Sequence, residues 1–175
     1  MTPTASDAAS RQCLSFLMGR EEYAVDLVRV REIVRYEGAT RVPRVPACVR
    51  GVVNLRGSVV PVIDLAVGLG MPQAAVTPQT CLVIIEVAVG LETSVLGLLA
   101  DAVDQVLDLR AEDIEPPPSF GTRVPAAYLL GMAKSDGRFV LLLDLERLLG
   151  EGGVLRGLGV GVPAPDSPPA REATA

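Results

Sequence analysis

Two short stretches set the hydrophobic pattern of the chain. Val59-Val60-Pro61-Val62-Ile63 and Phe139-Val140-Leu141-Leu142-Leu143 are runs of aliphatic and β-branched residues, each entered through a turn pair, Arg56-Gly57 or Asp136-Gly137. Short apolar runs bounded by such turns predict β-hairpins. The same reading places strands over Leu14 to Met18, Tyr23 to Leu27 and Cys81 to Val89. Asp64 and Asp144 follow the two runs directly, and each opens a short segment closed by a glycine, Gly70 or Gly150. An aspartate N-cap and a glycine at C′ predict a helix of roughly one or two turns in each place.

The likeness of the two stretches is an internal repeat. Aligning Gly51–Gly70 with Gly131–Gly150 gives the identities Gly51/Gly131, Gly57/Gly137, Val60/Val140, Asp64/Asp144, Leu65/Leu145, Leu69/Leu149 and Gly70/Gly150, at a shift of 80 residues. Upstream the echo continues at a shift of 73, where Val30, Ile33 and Val34 meet Val103, Val106 and Leu107, and Pro43 meets Pro116. The change of shift predicts a longer loop in the second copy, around Pro116-Pro117-Pro118. Two related lobes follow, about 12–78 and 79–143, with a short C-terminal helix at 144–150. The flanks, 1–11 and 151–175, are rich in Ala, Ser and Pro or in Gly and Pro and are predicted to be disordered tails. Many short strands with Gly and Pro turns predict an all-β protein of small barrels rather than an α/β sheet.

Composition narrows the chemistry. Among 175 residues there is no histidine and no tryptophan. Without imidazole there is no Ser-His-Asp or Cys-His nucleophile, no His-ligated metal and no phosphohistidine on this chain. Cys13, Cys48 and Cys81 are odd in number and far apart, which suits neither a disulfide framework nor a CxxC pair; they are read as small core residues in a reducing compartment. The first ten residues lack a basic and then apolar leader, and no apolar run reaches the roughly 18 residues of a membrane span, so a soluble cytoplasmic protein is expected.

Each candidate site meets a plainer explanation. Asp64 and Asp144 as an acid-base pair are accounted for by helix capping. Ser15, Ser58 and Ser94 have no activating base, and Lys134, the one lysine, is expected in the solvated turn of the second hairpin. Gly157, Gly159 and Gly161 lack the Lys-Ser/Thr of a phosphate loop.

The formal charge of −5 is unevenly spread. Residues 1–60 hold nine arginines against six acids, net +3, while 61–175 hold seven bases against fifteen acids, net −8. The strip Arg29, Arg31, Arg35, Arg41, Arg44, Arg50 and Arg56 lacks the aromatic partners of a nucleic-acid surface, so protein recognition is favoured. Arg56 stands out, because the repeat has Asp136 in the same turn position and turn chemistry gives no reason for a long cation there.

These motifs together resemble the CheW-like coupling proteins of chemotaxis over nearly the whole predicted body. The resemblance rests on Tyr23-Ala24-Val25-Asp26, Val30-Arg31-Glu32-Ile33, Val42-Pro43, Pro46, Gly51-Val52-Val53-Asn54-Leu55-Arg56-Gly57, Pro61-Val62-Ile63-Asp64-Leu65, Asp101-x-Val103-x-x-Val106-Leu107, Ile114-x-Pro116 and Leu142-Leu143-Asp144-Leu145. It implies two intertwined five-stranded SH3-like β-barrels with short helices around a shared core. It also implies a non-enzymatic adaptor, without cofactor, that joins the cytoplasmic tip of chemoreceptors (methyl-accepting chemotaxis proteins) to the regulatory domain of the histidine kinase CheA. Such an adaptor would lie at the inner face of the membrane through receptor arrays, serving flagellar taxis or a non-flagellar system such as type IV pilus motility. The positions matched to receptor coupling are Val30, Glu32, Gly51, Arg56 and Val106. Ala100 before Asp101 departs from the usual valine, a smaller residue between the lobes. The chain is too short for the receiver of a CheV-type adaptor or for a kinase.

Overall fold

The computed structural model describes residues 10–89, 91–118 and 123–150. Eleven strands run in order: β1 (Arg11–Met18), β2 (Glu21–Asp26), β3 (Val30–Arg35), β4 (Val49–Leu55), β5 (Ser58–Ile63), β6 (Cys81–Val89), β7 (Glu92–Ala100), β8 (Ala102–Leu109), β9 (Ile114–Glu115), β10 (Leu129–Ser135) and β11 (Arg138–Leu143). Two single-turn helices, α1 (Leu65–Gly68) and α2 (Leu145–Leu149), follow β5 and β11. The strands predicted from the sequence are present, though Leu27 belongs to a 3-10 turn, Leu27–Arg29, rather than to β2. Arg11, expected in the N-terminal tail, is the first residue of β1 and pairs with Leu109. The rest of that expected tail, up to residue 9, and the tail 151–175 lie outside the described residues.

One sheet has the order β8-β1-β2-β11-β10-β9 and the other β3-β6-β7-β5-β4. The stretches 12–78 and 79–143 are therefore repeats that do not coincide with the sheets. Each sheet takes a leading hairpin from one repeat and the later strands from the other, joined through the parallel pairs β2 with β11 and β7 with β5. The two sheets are intertwined, as the resemblance implied, but the first has six strands where five were expected. The sixth is the two-residue β9, whose Glu115 pairs with Met132. Its counterpart is the isolated bridge of Thr40 to Val52, eighty residues upstream of Met132.

This topology makes three cores. The largest lies between the sheets, where Leu14, Phe16, Tyr23 and Val25 from one meet Val83, Ile85, Leu96 and Leu98 from the other, sealed by Leu65, Leu145 and Leu148 of the helices. Strand alternation sends the intervening residues into the two barrel interiors. Cys13, Ala24, Leu107, Val140 and Leu142 fill the first, and Tyr36, Val60, Val62, Leu82 and Ile84 the second. The cysteines are core residues, as expected. Burial pushes the Cys13 thiol up to about 11 and raises Cys48 and Cys81 as well, so none is poised as a thiolate nucleophile.

The caps form as predicted: Asp64 Oδ1 accepts from the Val67 amide at 3.3 Å and Asp144 Oδ1 from the Arg147 amide at 3.2 Å. Gly70 has the left-handed φ of 87° expected at C′. Gly150 does not. It is the cap itself, in extended conformation at φ −82°, and a Cβ there would meet the Glu146 carbonyl oxygen at 2.4 Å. Lys134 also departs from expectation, sitting exposed within β10 rather than in the turn.

A candidate docking face

The two late hairpins turn in the same way. Arg56 and Gly57 have φ of 52° and 89°, Asp136 and Gly137 of 51° and 78°, the double left-handed geometry of a two-residue type I′ turn. Asn54 Oδ1 braces the first turn by accepting from the Gly57 amide at 2.9 Å. Aspartate suits a left-handed position because its short polar side chain tolerates it; arginine gains nothing there from turn chemistry.

Arg56 instead reaches to β3. Its Nη1 and Nη2 donate to Glu32 Oε2 and Oε1 at 2.8 and 2.9 Å, a bidentate pair spanning the two edge strands of the five-stranded sheet. The arginine side chain is 80% exposed and the glutamate 28%. An exposed pair of this kind contributes at most about 1 kcal/mol to folding. The repeat partners of these residues are Gln105 and Asp136, so the first barrel has no such clasp.

Of the remaining positions matched by resemblance, Val30 is half-buried and packs against the central core opposite Ile85, whereas Glu32 lies opposite Ile84 of the second barrel. Gly51 is buried under the chain: an added Cβ would meet the Thr40 carbonyl oxygen at 2.1 Å, and its φ of 141° is one that side chains rarely adopt. Gly131 is covered likewise by the Glu115 carbonyl, 2.6 Å from an added Cβ. Gly51 is thus where the Thr40 bridge crosses β4, and it offers no side chain to a partner. Val106 lies on β8, at the edge of the other sheet, and is 50% exposed. The structure brings Glu32 and Arg56 into contact, turns Val30 to the other side of β3, and leaves Val106 on the opposite repeat.

Sequence reasoning missed two apolar residues that flank these positions. Ile33 is 45% exposed and Val28, in the 3-10 turn before β3, is 84% exposed. The signal for Ile33 was present, since it is the repeat partner of Val106. A groove of about 610 Å3 lies between that turn and the end of β8, lined by Arg11, Gln12, Asp26, Leu27, Val28 and Asp108.

Below this face, Arg50 Nη1 meets Asp64 Oδ2 at 3.2 Å with both side chains largely buried. Burial raises the Asp64 carboxyl, and the Val67 amide and the Arg50 cation oppose that rise. Inside the first barrel, Ser15 Oγ donates to the Gln105 carbonyl and accepts from its amide, tying the bulge in β8. Neighbouring Glu22 is buried with Oε1 unpartnered, and desolvation together with the nearby Asp104 carboxyl raises it. Among the described residues no group of three or more potential ligands converges as a metal site, and no helix is long and apolar enough to cross a membrane.

Residues 12–152 match the family model of the CheW-like domain. The chain is similar to the chemotaxis protein CheW of Klebsiella aerogenes, 34% identical over 83% of this chain and 85% of that one. It is 37% identical to the probable chemotaxis protein CheW of Rhizobium etli over 81% and 88%. In three dimensions it is similar to the scaffolding protein TtCheW of Thermoanaerobacter tengcongensis, with a TM-score of 0.69 and 28% identity over 83% of this chain and 91% of that one.

Proposed function

The chain belongs to the CheW-like domain family, and from that premise we propose that it is a non-enzymatic adaptor coupling chemoreceptors to the histidine kinase CheA, with the receptor tip docked on the face around Val30, Glu32, Arg56 and Val106. The Klebsiella aerogenes relative is a chemotaxis protein, and the Thermoanaerobacter tengcongensis neighbour is a scaffolding protein. The observation that carries the docking assignment is the Glu32–Arg56 pair. The arginine occupies a left-handed turn position for which aspartate, its own repeat partner, is better suited, and its pairing adds little to folding. A guanidinium held at the surface by a bidentate carboxylate is the kind of group that anchors a protein interface. A receptor tip is a helical hairpin, and its aliphatic ridge would lie on Val106 and Ile33 while Glu32 and Arg56 fix register by charge. Gly51 enters indirectly, by holding β4 beneath Thr40.

The purified protein is expected to bind both a receptor signalling fragment and the CheA regulatory domain, with roughly micromolar affinity suited to a modest interface. Arg56→Glu is expected to abolish receptor-dependent kinase activation in a reconstituted array while leaving the thermal midpoint nearly unchanged. A loss of several kcal/mol of stability instead would make Arg56 a structural residue.

A further inference from the structure

The docking face has an internal degeneracy. Cross-strand partners on β6 and β1 fix which side chains leave the two edge strands toward the space between the sheets. On β3, Val30, Ile33 and Arg35 lie opposite Ile85, Val83 and Cys81, all of the central core. On β8, Val103, Val106 and Asp108 lie opposite Phe16, Leu14 and Gln12. The two triplets are repeat partners at a shift of 73. In each, the first residue is half-buried against the central core, the second is half-exposed and the third is exposed. A face whose apolar parts are related by exchange of the repeats would accept an apolar ridge in either of two orientations.

The third position breaks that equivalence, because it is a cation on β3 and an anion on β8. Among the described residues no ion pair includes Arg35 or Asp108, whereas Glu32 and Arg56 satisfy one another. Asp108 also lines the groove that runs to Val28, so the charged end of β8 and the turn leading into β3 border one concavity.

We propose that Arg35 and Asp108 are specificity residues that set the orientation of the docked helical hairpin: it presents an acidic side chain to Arg35 and a basic one to Asp108, flanking the ridge that covers Ile33 and Val106. The opposite orientation places like charges together, which specifies by repulsion as much as by attraction. The proposal rests on the receptor-docking reading above.

The test titrates a receptor signalling-domain hairpin against the wild-type protein, Arg35→Asp, Asp108→Arg and the double exchange, each carrying Val28→Cys for disulfide cross-linking to single cysteines on either arm of the hairpin. The native cysteines are buried and give little background. Each single substitution is expected to weaken binding about tenfold at low salt, with the difference narrowing as salt is added. The double exchange is expected to restore binding and move the cross-link to the other arm. Wild-type binding with single variants that bind equally well, or an unmoved cross-link in the double exchange, overturns the orientation role alone. No binding by the wild type overturns the docking reading and this role with it.

Discussion

The hairpins β4–β5 and β10–β11 are nearly the same object built twice. Both turn through two left-handed residues, both place a glycine beneath a crossing carbonyl, and both lead into a single helical turn capped by aspartate. They part at Arg56 and Asp136. The features they share are those that a small barrel requires: the turn, the crossing and the cap. The feature that differs contributes little to the barrel and faces outward. The barrel interiors differ as well. Where the second has Ile84 and Val95, the first has Ser15 and Glu22, so the first interior carries a buried polar pair where the second has aliphatic side chains.

The largest effect should come from the shared crossing. Gly51→Ala drives a Cβ into the Thr40 carbonyl and adds a disfavoured φ, while Gly131→Ala meets the Glu115 carbonyl at a longer distance. Both should destabilise, Gly51→Ala by about 3 kcal/mol or more and Gly131→Ala by less, in denaturant titration. Equal losses would mean that φ adds nothing to the clash.

The capping aspartates separate the repeats next. Asp64 is buried with Arg50 as its countercharge, while Arg147 beside Asp144 is 70% exposed. Arg50→Ala leaves a buried carboxylate unpaired and should cost about 3 kcal/mol. Arg147→Ala should cost no more than about 0.5 kcal/mol. Comparable thermal midpoints for the two variants would show that water reaches Asp64 as readily as Asp144.

The smallest effect concerns the polar interior. Folding raises the Glu22 carboxyl above its unfolded value, so the native state binds that proton more readily and the stabilisation is full at acid pH and lost as pH rises through the raised value. Glu22→Gln removes the charge and should be more stable than wild type at neutral pH by about 1 kcal/mol, with the gap closing as pH falls. A gap independent of pH would trace the effect to packing instead.

Much of the scaffold was legible because it is written locally. Turn pairs, caps and alternating apolar runs act over a few residues, and their recurrence at shifts of 80 and 73 exposed the two copies. Lys134 and Gly150 were misplaced by that same local logic. Lys134 lies two residues before the Asp136-Gly137 turn, still within β10, and a glycine can answer a close carbonyl rather than a positive φ. The candidate site was legible through the repeat, which singled out Arg56, and through the resemblance, which added Glu32; both passed over the exposure of Ile33 and Val28.

The sequence by itself determined that there are two β-rich copies, where each late hairpin turns and which aspartates begin the helices, because hydrogen bonds and sterics between near neighbours decide those matters. Only the tertiary structure decided that the leading hairpins change places between the sheets. The two copies present nearly equivalent strand faces, and the choice of partner is made by packing over the whole core. Tertiary structure likewise joined Glu32 to Arg56, buried Gly51 under Thr40 and set Arg35 and Asp108 at corresponding edges. Each of these is a meeting of residues distant in the chain, which no local preference encodes.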